Sequence, residues 1–194
     1  MFENILADTM RVHQTMLRHC QSGTFRPIDA LRSLCKNVGL HALVVYRFGR
    51  WLSRVRKHRY GWAIAAPLYP AYWMSSVYVR KAYGINLDQS ADIAPDFHIT
   101  HFGGIEVRNC RIGPRCSIYQ QVKLGSSEPT DRGLVIGEGV YIGPHAQICA
   151  DVIIGDGVTV GAGAVVTQDI PSHCMVLGNP GRITLQDYDN SALL

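Results

Sequence analysis

The chain lacks the patterns that mark several functional classes. None of its six cysteines stands at C-x-x-C spacing or pairs with histidines as in a zinc finger, so we expect reduced thiols, mostly buried, and no metal site. The formal net charge is only +4, and no nucleic-acid-binding motif is present, so we expect no nucleic-acid partner. The first residues include an early acid and no basic segment followed by an apolar run. We therefore predict no secretory signal and a cytoplasmic protein.

An apolar residue recurs at every sixth position through the C-terminal half. Leu87, Ile93, Ile99 and Ile105 are in phase, Ile112 is displaced by one, and the series continues through Ile118, Leu124, Ile136, Ile142, Ile148, Ile154, Val160 and Val166. A glycine often follows the apolar residue. This period fits neither an amphipathic helix nor an ordinary strand, but it is typical of a hexapeptide β-helix.

Each hexapeptide is a short strand and a turn, and three of them close one coil of a triangular prism. Isoleucine and valine suit the stacked inward positions, and glycine suits the corners. With coils about 4.8 Å apart, the series predicts four to five coils and a prism on the order of 20–25 Å long.

The first part of the chain has a different pattern. Apolar residues at helical spacing predict helices near 5–18, 27–38 and 40–56. Residues 60–79 are uncharged and rich in aromatics, and we expect Pro67 and Pro70 to break a helix there. Packing against the prism is the favoured interpretation of this segment, peripheral membrane contact through residues 50–80 is the second, and a membrane span is the last.

These patterns divide the chain into three parts. Residues 1–83 form an α-helical region that covers the first coil, residues 84–168 form the β-helix, and residues 169–194 form a tail that folds back on the coils. The predicted fold class is therefore mainly β with an α-helical N-terminal part.

Two irregularities in the repeat are candidate sites. The segment between Leu124 and Ile136 puts Thr130 at a stacking position and carries Asp131 and Arg132, which predicts a loop that binds substrate. His101 lies two places after the inward Ile99 and beside a predicted corner. Its side chain is therefore expected to project outward.

Several segments together resemble the serine acetyltransferase branch of the hexapeptide acyltransferases. They are residues 100–105 (THFGGI), 117–125 (SIYQQVKLG), 136–143 (IGEGVYIG), 160–166 (VGAGAVV) and 178–180 (GNP). The resemblance covers about residues 84–183. It implies a left-handed β-helix that forms a homotrimer, binds acetyl-CoA between neighbouring prisms and transfers acetyl directly to a hydroxyl. Whether two trimers pair through the helical half stays open.

The resemblance also implies roles for individual residues. His101 corresponds to the catalytic general base, which suits imidazole with its pKa near 6.5, and the N–H groups of Gly103 and Gly104 are candidates for the oxyanion. His145 is either a second catalytic histidine or a residue that fills the groove between subunits. The implied contacts with acetyl-CoA are Gly125, Ser126, Gly143, Ala162, Gly163 and Arg182.

The chain departs from the family at three positions. Asn86 stands where the family has the aspartate that pairs with the histidine, and Asp88 is the candidate substitute. Thr100 replaces an acid that helps to bind the ammonium of serine, and Gly133 replaces a second active-site histidine, so Arg132 is the remaining member of the serine-binding set.

Because an amino acid needs partners for both of its charges, these departures favour a carbohydrate hydroxyl, and the helical half weakly resembles polysaccharide-associated relatives. Serine O-acetylation in cysteine synthesis is the alternative enzyme function. The alternative of another class is a non-catalytic trimeric scaffold whose N-terminal half docks on the inner face of a membrane or on a biosynthetic complex.

Overall fold

The structure, a computed structural model, describes residues 2–19, 37–126, 128 and 132–194. Within these residues the helices are α1 (Phe2–His19), α2 (Val38–Arg56) and α3 (Gly61–Tyr78), and α3 continues into a π-helical turn (Val79–Tyr83). The helices predicted near 5–18 and 40–56 are present. Most of the helix predicted at 27–38 lies outside the described residues.

Helix α2 covers the open end of the β-helix. It begins at the N-cap Asn37, whose side-chain oxygen accepts a hydrogen bond from Leu40 N at 3.3 Å. Gly39 lies so close to the first coil that a Cβ there would come within 2.6 Å of the Ile99 carbonyl oxygen. Tyr46 donates its hydroxyl hydrogen to the Ala91 carbonyl at 2.7 Å. The helix is therefore fixed on the first coil by close packing and by hydrogen bonds.

Helix α1 is joined to this cap by a buried ion pair. The Arg47 Nε of α2 lies 3.2 Å from Asp8 Oδ2 of α1, and both side chains are almost fully buried. Arg47 also donates to the Ala94 carbonyl at 2.7 Å, and Asp8 accepts a hydrogen bond from Phe97 N at 3.2 Å. Burial raises the pKa of Asp8 although Arg47 opposes the shift. The Asp8–Arg47 ion pair and its hydrogen bonds therefore join α1, α2 and the first coil.

Helix α3 differs from its predicted form. It is continuous through Pro67 and Pro70 because the carbonyls that these prolines leave without a partner, those of Ala63 and Ala66, belong to exposed residues and can bind water. The helix packs mainly on α2, touches the first coil where Gln89 donates to the Tyr72 hydroxyl, and leaves most of its surface exposed. Burial of the whole segment against the prism was therefore the wrong expectation. None of the helices in the described ranges is long and apolar enough to cross a membrane.

The described part of residues 85–185 contains fifteen strands in three sheets that form the faces of the prism. Sheet A contains β1 (Ile85–Leu87), β4 (Ile105–Val107), β7 (Lys123–Leu124), β10 (Gln147–Ile148) and β13 (Val165–Val166). Sheet B contains β2 (Asp92–Ile93), β5 (Cys110–Ile112), β8 (Leu134–Ile136) and β11 (Ile153–Ile154). Sheet C contains β3 (His98–Ile99), β6 (Ser117–Ile118), β9 (Tyr141–Ile142), β12 (Thr159–Val160), β14 (Met175–Leu177) and β15 (Arg182–Leu185). Successive strands visit the three sheets in turn, and this confirms the predicted left-handed parallel β-helix of about five coils.

The stacked inward positions follow the hexad with one correction. On sheet A, Val107 pairs in register with Leu87 and with Leu124, whereas Ile105 pairs with Ile85. Val107 therefore takes the stacked position that the period gave to Ile105. Both residues are fully buried, and the shift arises because the corner that precedes β4 is longer than the repeat.

The repeat also extends further than expected. Strand β14 pairs in parallel with β12, and Ile154 forms a parallel bridge with Ile170, so the fifth coil closes beyond the boundary predicted at residue 168. The coil continues because the buried Ile170 and Val176 are again six residues apart, after a single step of four from Val166 to Ile170 that shifts the phase. After this coil β15 runs antiparallel to β14, and the residues that follow lie on the coils, where the buried Asn190 donates its side-chain N–H to the Gly139 carbonyl at 2.8 Å. The division into three parts otherwise stays a prediction.

The described cysteines agree with the expected thiols. Cys110, Cys116 and Cys174 are buried and Cys149 is exposed, all four unpaired, and burial raises the pKa of Cys110 and of Cys116 to about 12. Cys20 and Cys35 lie outside the described residues. No cluster of histidine, cysteine or acidic side chains that could hold a metal ion occurs within the described part of the chain.

Candidate active site

The edge of the prism where sheet C leads into sheet A is irregular in the first coil. Its stacked residues Ile99 and Val107 are eight residues apart, whereas the corresponding residues in the next three coils, such as Ile118 and Leu124, are six apart. The two extra residues form a protruding turn, residues 100–104. We call this edge, with residues 100–104, 119–122, 143–146 and 161–164, the His101 corner.

His101 lies on this protruding turn and its side chain is exposed, as predicted. Its ring stacks on Tyr119 of the next coil, with ring centroids 5.6 Å apart and planes at 22°. Tyr119 in turn lies 5.3 Å from the ring of Tyr141. Burial, followed by the hydrogen bond with Tyr119, raises the pKa of Tyr141 to about 12. Imidazole and phenol rings thus form a ladder along the corner.

The tyrosines were not predicted as site residues. Tyr119 directly follows the inward Ile118 and so begins the His101 corner in its coil, whereas Tyr141 directly precedes the inward Ile142 on sheet C and reaches the corner through its contact with Tyr119.

The glycines beside His101 provide unpaired donors. Gly103 and Gly104 have φ values of 106° and 66°, and neither donates a backbone hydrogen bond to any of the described residues. A Cβ on Gly103 would meet nothing within 4 Å, whereas one on Gly104 would lie 2.5 Å from Gln121 Oε1. The N–H groups beside the histidine are therefore available to a bound oxyanion, which agrees with the predicted role.

The same corner offers an open backbone surface at Gly163. Gln121, His145 and Gly163 stand at equivalent turn positions with φ of 60°, 62° and 68°, and each donates its N–H to the coil before it. Two of the three carry side chains, so the left-handed conformation alone does not require glycine. A Cβ on Gly163 would meet nothing within 4 Å, and the neighbouring Ala162 is exposed. The bare backbone at Gly163 therefore leaves room for a ligand.

Two of the other candidate cofactor contacts have structural reasons for lacking a side chain. A Cβ on Gly125 would lie 2.0 Å from the Arg108 carbonyl oxygen, and one on Gly143 would lie 2.8 Å from Ala162 N. Gly143 is buried. Ser126 uses its hydroxyl oxygen to accept a hydrogen bond from Glu128 N at 3.1 Å. These positions are set by packing and turn formation, so their contact with acetyl-CoA stays a prediction.

Arg182 lies at the start of β15 and is exposed. It lines an open cleft of about 360 Å³ with Thr167, Gln168 and Pro180. An exposed guanidinium in such a cleft can bind a phosphate group, as the assignment to CoA requires.

The proposed partners of His101 make other contacts. Asn86 is half-buried and lines a cavity of about 40 Å³ with side chains of α2 and α3, among them Tyr72. Asp88 is exposed and accepts a hydrogen bond from Ser90 N at 2.8 Å. Among the described residues neither side chain is hydrogen-bonded to His101. Thr100 precedes His101 and is half-buried, and its N–H donates to the Ile118 carbonyl.

Arg132 lies at a second edge of the prism, where sheet A leads into sheet B. Its backbone N–H and that of Gly133 donate to Asp151 Oδ1 at 3.1 and 3.0 Å, and its Nη2 lies 3.5 Å from Asp169 Oδ2. Gly125 and Ser126 belong to the same edge, which we call the Arg132 corner. Asp131, predicted to bind substrate with Arg132, lies outside the described residues.

The two corners face different directions on one prism. His101, Ala162 and Gly163 belong to one, and Arg132 and Ser126 belong to the other. A single chain therefore does not bring all the predicted site residues together.

The chain is similar to known transferases. The family model described as bacterial transferase hexapeptide (six repeats) matches residues 133–168. The serine acetyltransferase of Staphylococcus xylosus is 36% identical over 107 residues, 54% of this chain and 50% of that protein. The serine acetyltransferase of Staphylococcus epidermidis is 32% identical over 162 residues, 82% of this chain and 71% of that protein.

A solved structure extends the similarity to the whole fold. The Neisseria gonorrhoeae serine acetyltransferase in complex with serine superposes with a TM-score of 0.69 at 23% identity, over 93% of this chain and 67% of that one. The chain spans only about half the length of the first relatives it matches, including the Staphylococcus xylosus enzyme. The coverage of the Staphylococcus epidermidis enzyme nevertheless shows the family. The chain therefore belongs to the serine acetyltransferase family of hexapeptide-repeat transferases.

Proposed function

We propose that this chain transfers the acetyl group of acetyl-CoA to the hydroxyl of L-serine, with His101 as the general base. The observation that carries the proposal is the protruding turn of the His101 corner, where an exposed imidazole stands beside the unpaired N–H groups of Gly103 and Gly104. The relatives named serine acetyltransferases support serine better than the carbohydrate acceptor that the departures at Asn86, Thr100 and Gly133 favour.

The residues of this corner can perform each step. The neutral imidazole of His101 takes the proton of the acceptor hydroxyl as the oxygen attacks the thioester carbon. The carbonyl oxygen becomes negative and is stabilised by the N–H groups of Gly103 and Gly104. When the tetrahedral intermediate collapses, the C–S bond breaks and the imidazolium returns the proton to the CoA thiolate. Acetyl-serine and CoA are released, and no covalent enzyme intermediate forms.

The separation of the two corners supports a homotrimer. Arg132 can bind the carboxylate of serine by a charge-assisted hydrogen bond, but it lies on a different edge from His101. If three prisms pack side by side, the His101 corner of one chain faces the Arg132 corner of the next. The groove between the two chains then contains the general base His101, the carboxylate partner Arg132, and the open backbone at Gly163 against which acetyl-CoA can lie.

The experiment is an assay of CoA release in which a thiol reagent reports the product. We expect millimolar L-serine to raise the rate in a saturable manner, and D-serine and glycine to have little effect. L-threonine is the matched control because it offers the same ammonium and carboxylate with a bulkier hydroxyl. No serine-dependent release would reject the serine acceptor.

One observation favours carbohydrate as the second candidate. The rings of Tyr119 and Tyr141 continue the row of rings that begins at His101, and aromatic rings present large apolar faces on which a sugar ring can lie. In the same assay a panel of sugar nucleotides and polysaccharide fragments distinguishes the acceptors. Release with a carbohydrate and none with serine would support this candidate, whereas saturable acetyl-CoA binding without any release would support the scaffold.

A further inference from the structure

The surface of α3 that faces away from α2 is unusually apolar for an exposed helix. Five large side chains on it are between 56% and 67% exposed, namely Trp62, Ile64, Trp73, Met74 and Tyr78, and Tyr69, which is 51% exposed, lies at its edge beside α2. We call them the outer aromatic face. The helix contains no charged residue, and exposed apolar patches of this extent mark interaction sites. Trp62, Tyr69 and Trp73 recur at spacings of seven and four, so they share one line along the helix.

The outer aromatic face is held in position by the packing of the opposite side. Gly61 and Ala65 are buried against α2, and a Cβ on Gly49 of α2 would lie 2.4 Å from the ring of Tyr72. Gln89 of the first coil donates to the Tyr72 hydroxyl at 3.1 Å. Because this narrow contact stripe is closely packed, α3 cannot rotate to bury its aromatic side chains.

Basic side chains flank the outer aromatic face at both ends. At the N-terminal end they are Arg54, Arg56, Lys57, His58 and Arg59, and at the C-terminal end they are Arg80 and Lys81, and all are exposed. No acidic residue occurs between residues 37 and 87, and no salt bridge within the described residues involves either basic group. The helix has 18 residues and is about 27 Å long. The two groups of basic side chains therefore lie at opposite ends of an uncharged helix that is rich in aromatic residues.

We propose that α3 lies flat on an anionic lipid surface, with its aromatic side chains at the level of the headgroups. Tryptophan and tyrosine favour the membrane–water interface, and each basic residue near an anionic surface adds to binding. A second copy of the chain fits less well, because both ends of α3 are positive. Pairing two such helices in either direction would bring like charges together. The inference is independent of the acetyl acceptor.

The first test uses the full-length wild-type protein and vesicles. We expect it to sediment with vesicles of phosphatidylcholine and 30% phosphatidylglycerol, to bind at least tenfold more weakly to pure phosphatidylcholine, and to be released as salt is raised. The tryptophan emission should shift to the blue on binding, and brominated lipids should quench it. Absence of sedimentation with the anionic vesicles would overturn the proposal, whether or not the protein is active.

Matched variants locate the contact. We expect Trp62→Ser with Trp73→Ser to weaken binding at least tenfold, while Ile153→Ser with Leu185→Ser, which removes two exposed apolar residues of the prism, leaves it unchanged. Lys57→Glu should weaken binding about tenfold, and the exposed Arg111→Glu should not. Equal losses in variants and controls would overturn the proposal. A second result would also overturn it: the wild-type protein does not bind vesicles, and the double tryptophan variant has a lower oligomer mass by light scattering. The outer aromatic face would then join copies of the chain.

Discussion

His98 and His101 are three residues apart, yet they lie in opposite environments. His98 belongs to a strand of the first coil that the helices cover, it is only 6% exposed, and burial together with the nearby Arg11 lowers its pKa to about 4. His101 lies beyond the cover, on the protruding turn, and is exposed. The first histidine is fixed in its neutral form over the usual pH range, while the second is free to meet a substrate.

The comparison shows how one repeat provides both stability and a reactive surface. Where α1 and α2 lie on the first coil, polar groups such as Asp8 and Arg47 are paired and buried. Where the backbone turns at a corner without cover, N–H groups such as that of Gly103 remain unpaired and the space beside Gly163 remains open. Chemistry is therefore expected at the corners, and resistance to unfolding at the capped end.

The largest effect is expected from His101→Ala. Removal of the general base should lower kcat by about 10²- to 10⁴-fold without changing the oligomer mass or the binding of acetyl-CoA measured by calorimetry. If the variant keeps wild-type turnover, the open corner does not carry the base and the comparison fails.

The matched control for this change is His173→Ala. His173 is also exposed, but it lies at the edge between sheets B and C. We expect nearly normal turnover. His145→Ala, at the His101 corner itself, separates the two roles considered for that residue, since a loss of kcat would indicate a second catalytic histidine and a loss of trimer would indicate a groove-filling one.

The next effect tests whether the two corners belong to one site. His101→Ala and Arg132→Ala chains should each be weakly active, because loss of a hydrogen bond to a charged group costs about 1.5–3 kcal/mol. Co-expressed with different tags and purified through both tags, they should form mixed trimers in which one site in three combines an intact His101 corner with an intact Arg132 corner. Activity well above that of either parent is the expected result.

The control is a mixture of the two proteins that were expressed and purified separately, in which the chains have not exchanged. If the mixed trimers are no more active than this mixture, each site is built within one chain, and the separation of the corners has no functional meaning.

The repeat made much of this fold predictable, since every stacked position must be apolar and buried. The length of a corner was not predictable in the same way. Ile105 and Val107 are both apolar and both buried, so the period alone could not show which one stacks, and the two extra residues beside His101 were missed. The tyrosine ladder was missed because aromatic residues beside stacked positions carry no sequence signal that separates packing from a site.

The helical half was less predictable for a different reason. Pro67 and Pro70 of α3 lack the N–H groups for two hydrogen bonds within the helix. The cost in helix stability depends on whether the two carbonyls left without a partner reach water, and the packing of the whole helix decides this. Likewise, residues 60–79 have the apolar, aromatic composition of a buried segment. The sequence does not show which face of the helix stays exposed, because that depends on where α2 packs.

A smaller effect is expected at the capped end. In the unfolded chain His98 binds a proton as the pH falls through about 6.5, but in the folded protein it does so only near pH 4. The unfolded state therefore takes up more protons in this window, and stability is lost as the pH falls. The free energy of unfolding should decrease by about 2 kcal/mol between pH 7 and pH 5 from this residue.

Urea unfolding at one fixed protein concentration measures this decrease, and His98→Gln should remove it. His101→Gln is the control and should retain it. An unchanged pH dependence in His98→Gln would mean that the capped face does not hold the histidine neutral.

The smallest effect is expected at the open backbone of Gly163. Asparagine tolerates a positive φ, so Gly163→Asn should fold normally, because Gln121 and His145 already adopt this conformation at the equivalent turns. Its side chain would enter the space left for acetyl-CoA, and we expect the KM for acetyl-CoA to rise about tenfold, the loss of about 1.4 kcal/mol of binding, with kcat little changed. Gly139→Asn is matched in conformation, with a φ of 61° and only a 3.4 Å contact to its Cβ, but it lies at the edge between sheets B and C and should leave KM unchanged. Equal KM values in the two variants would show that the space at Gly163 is not used, and the acetyl-CoA groove would then have to be sought along the Arg132 corner.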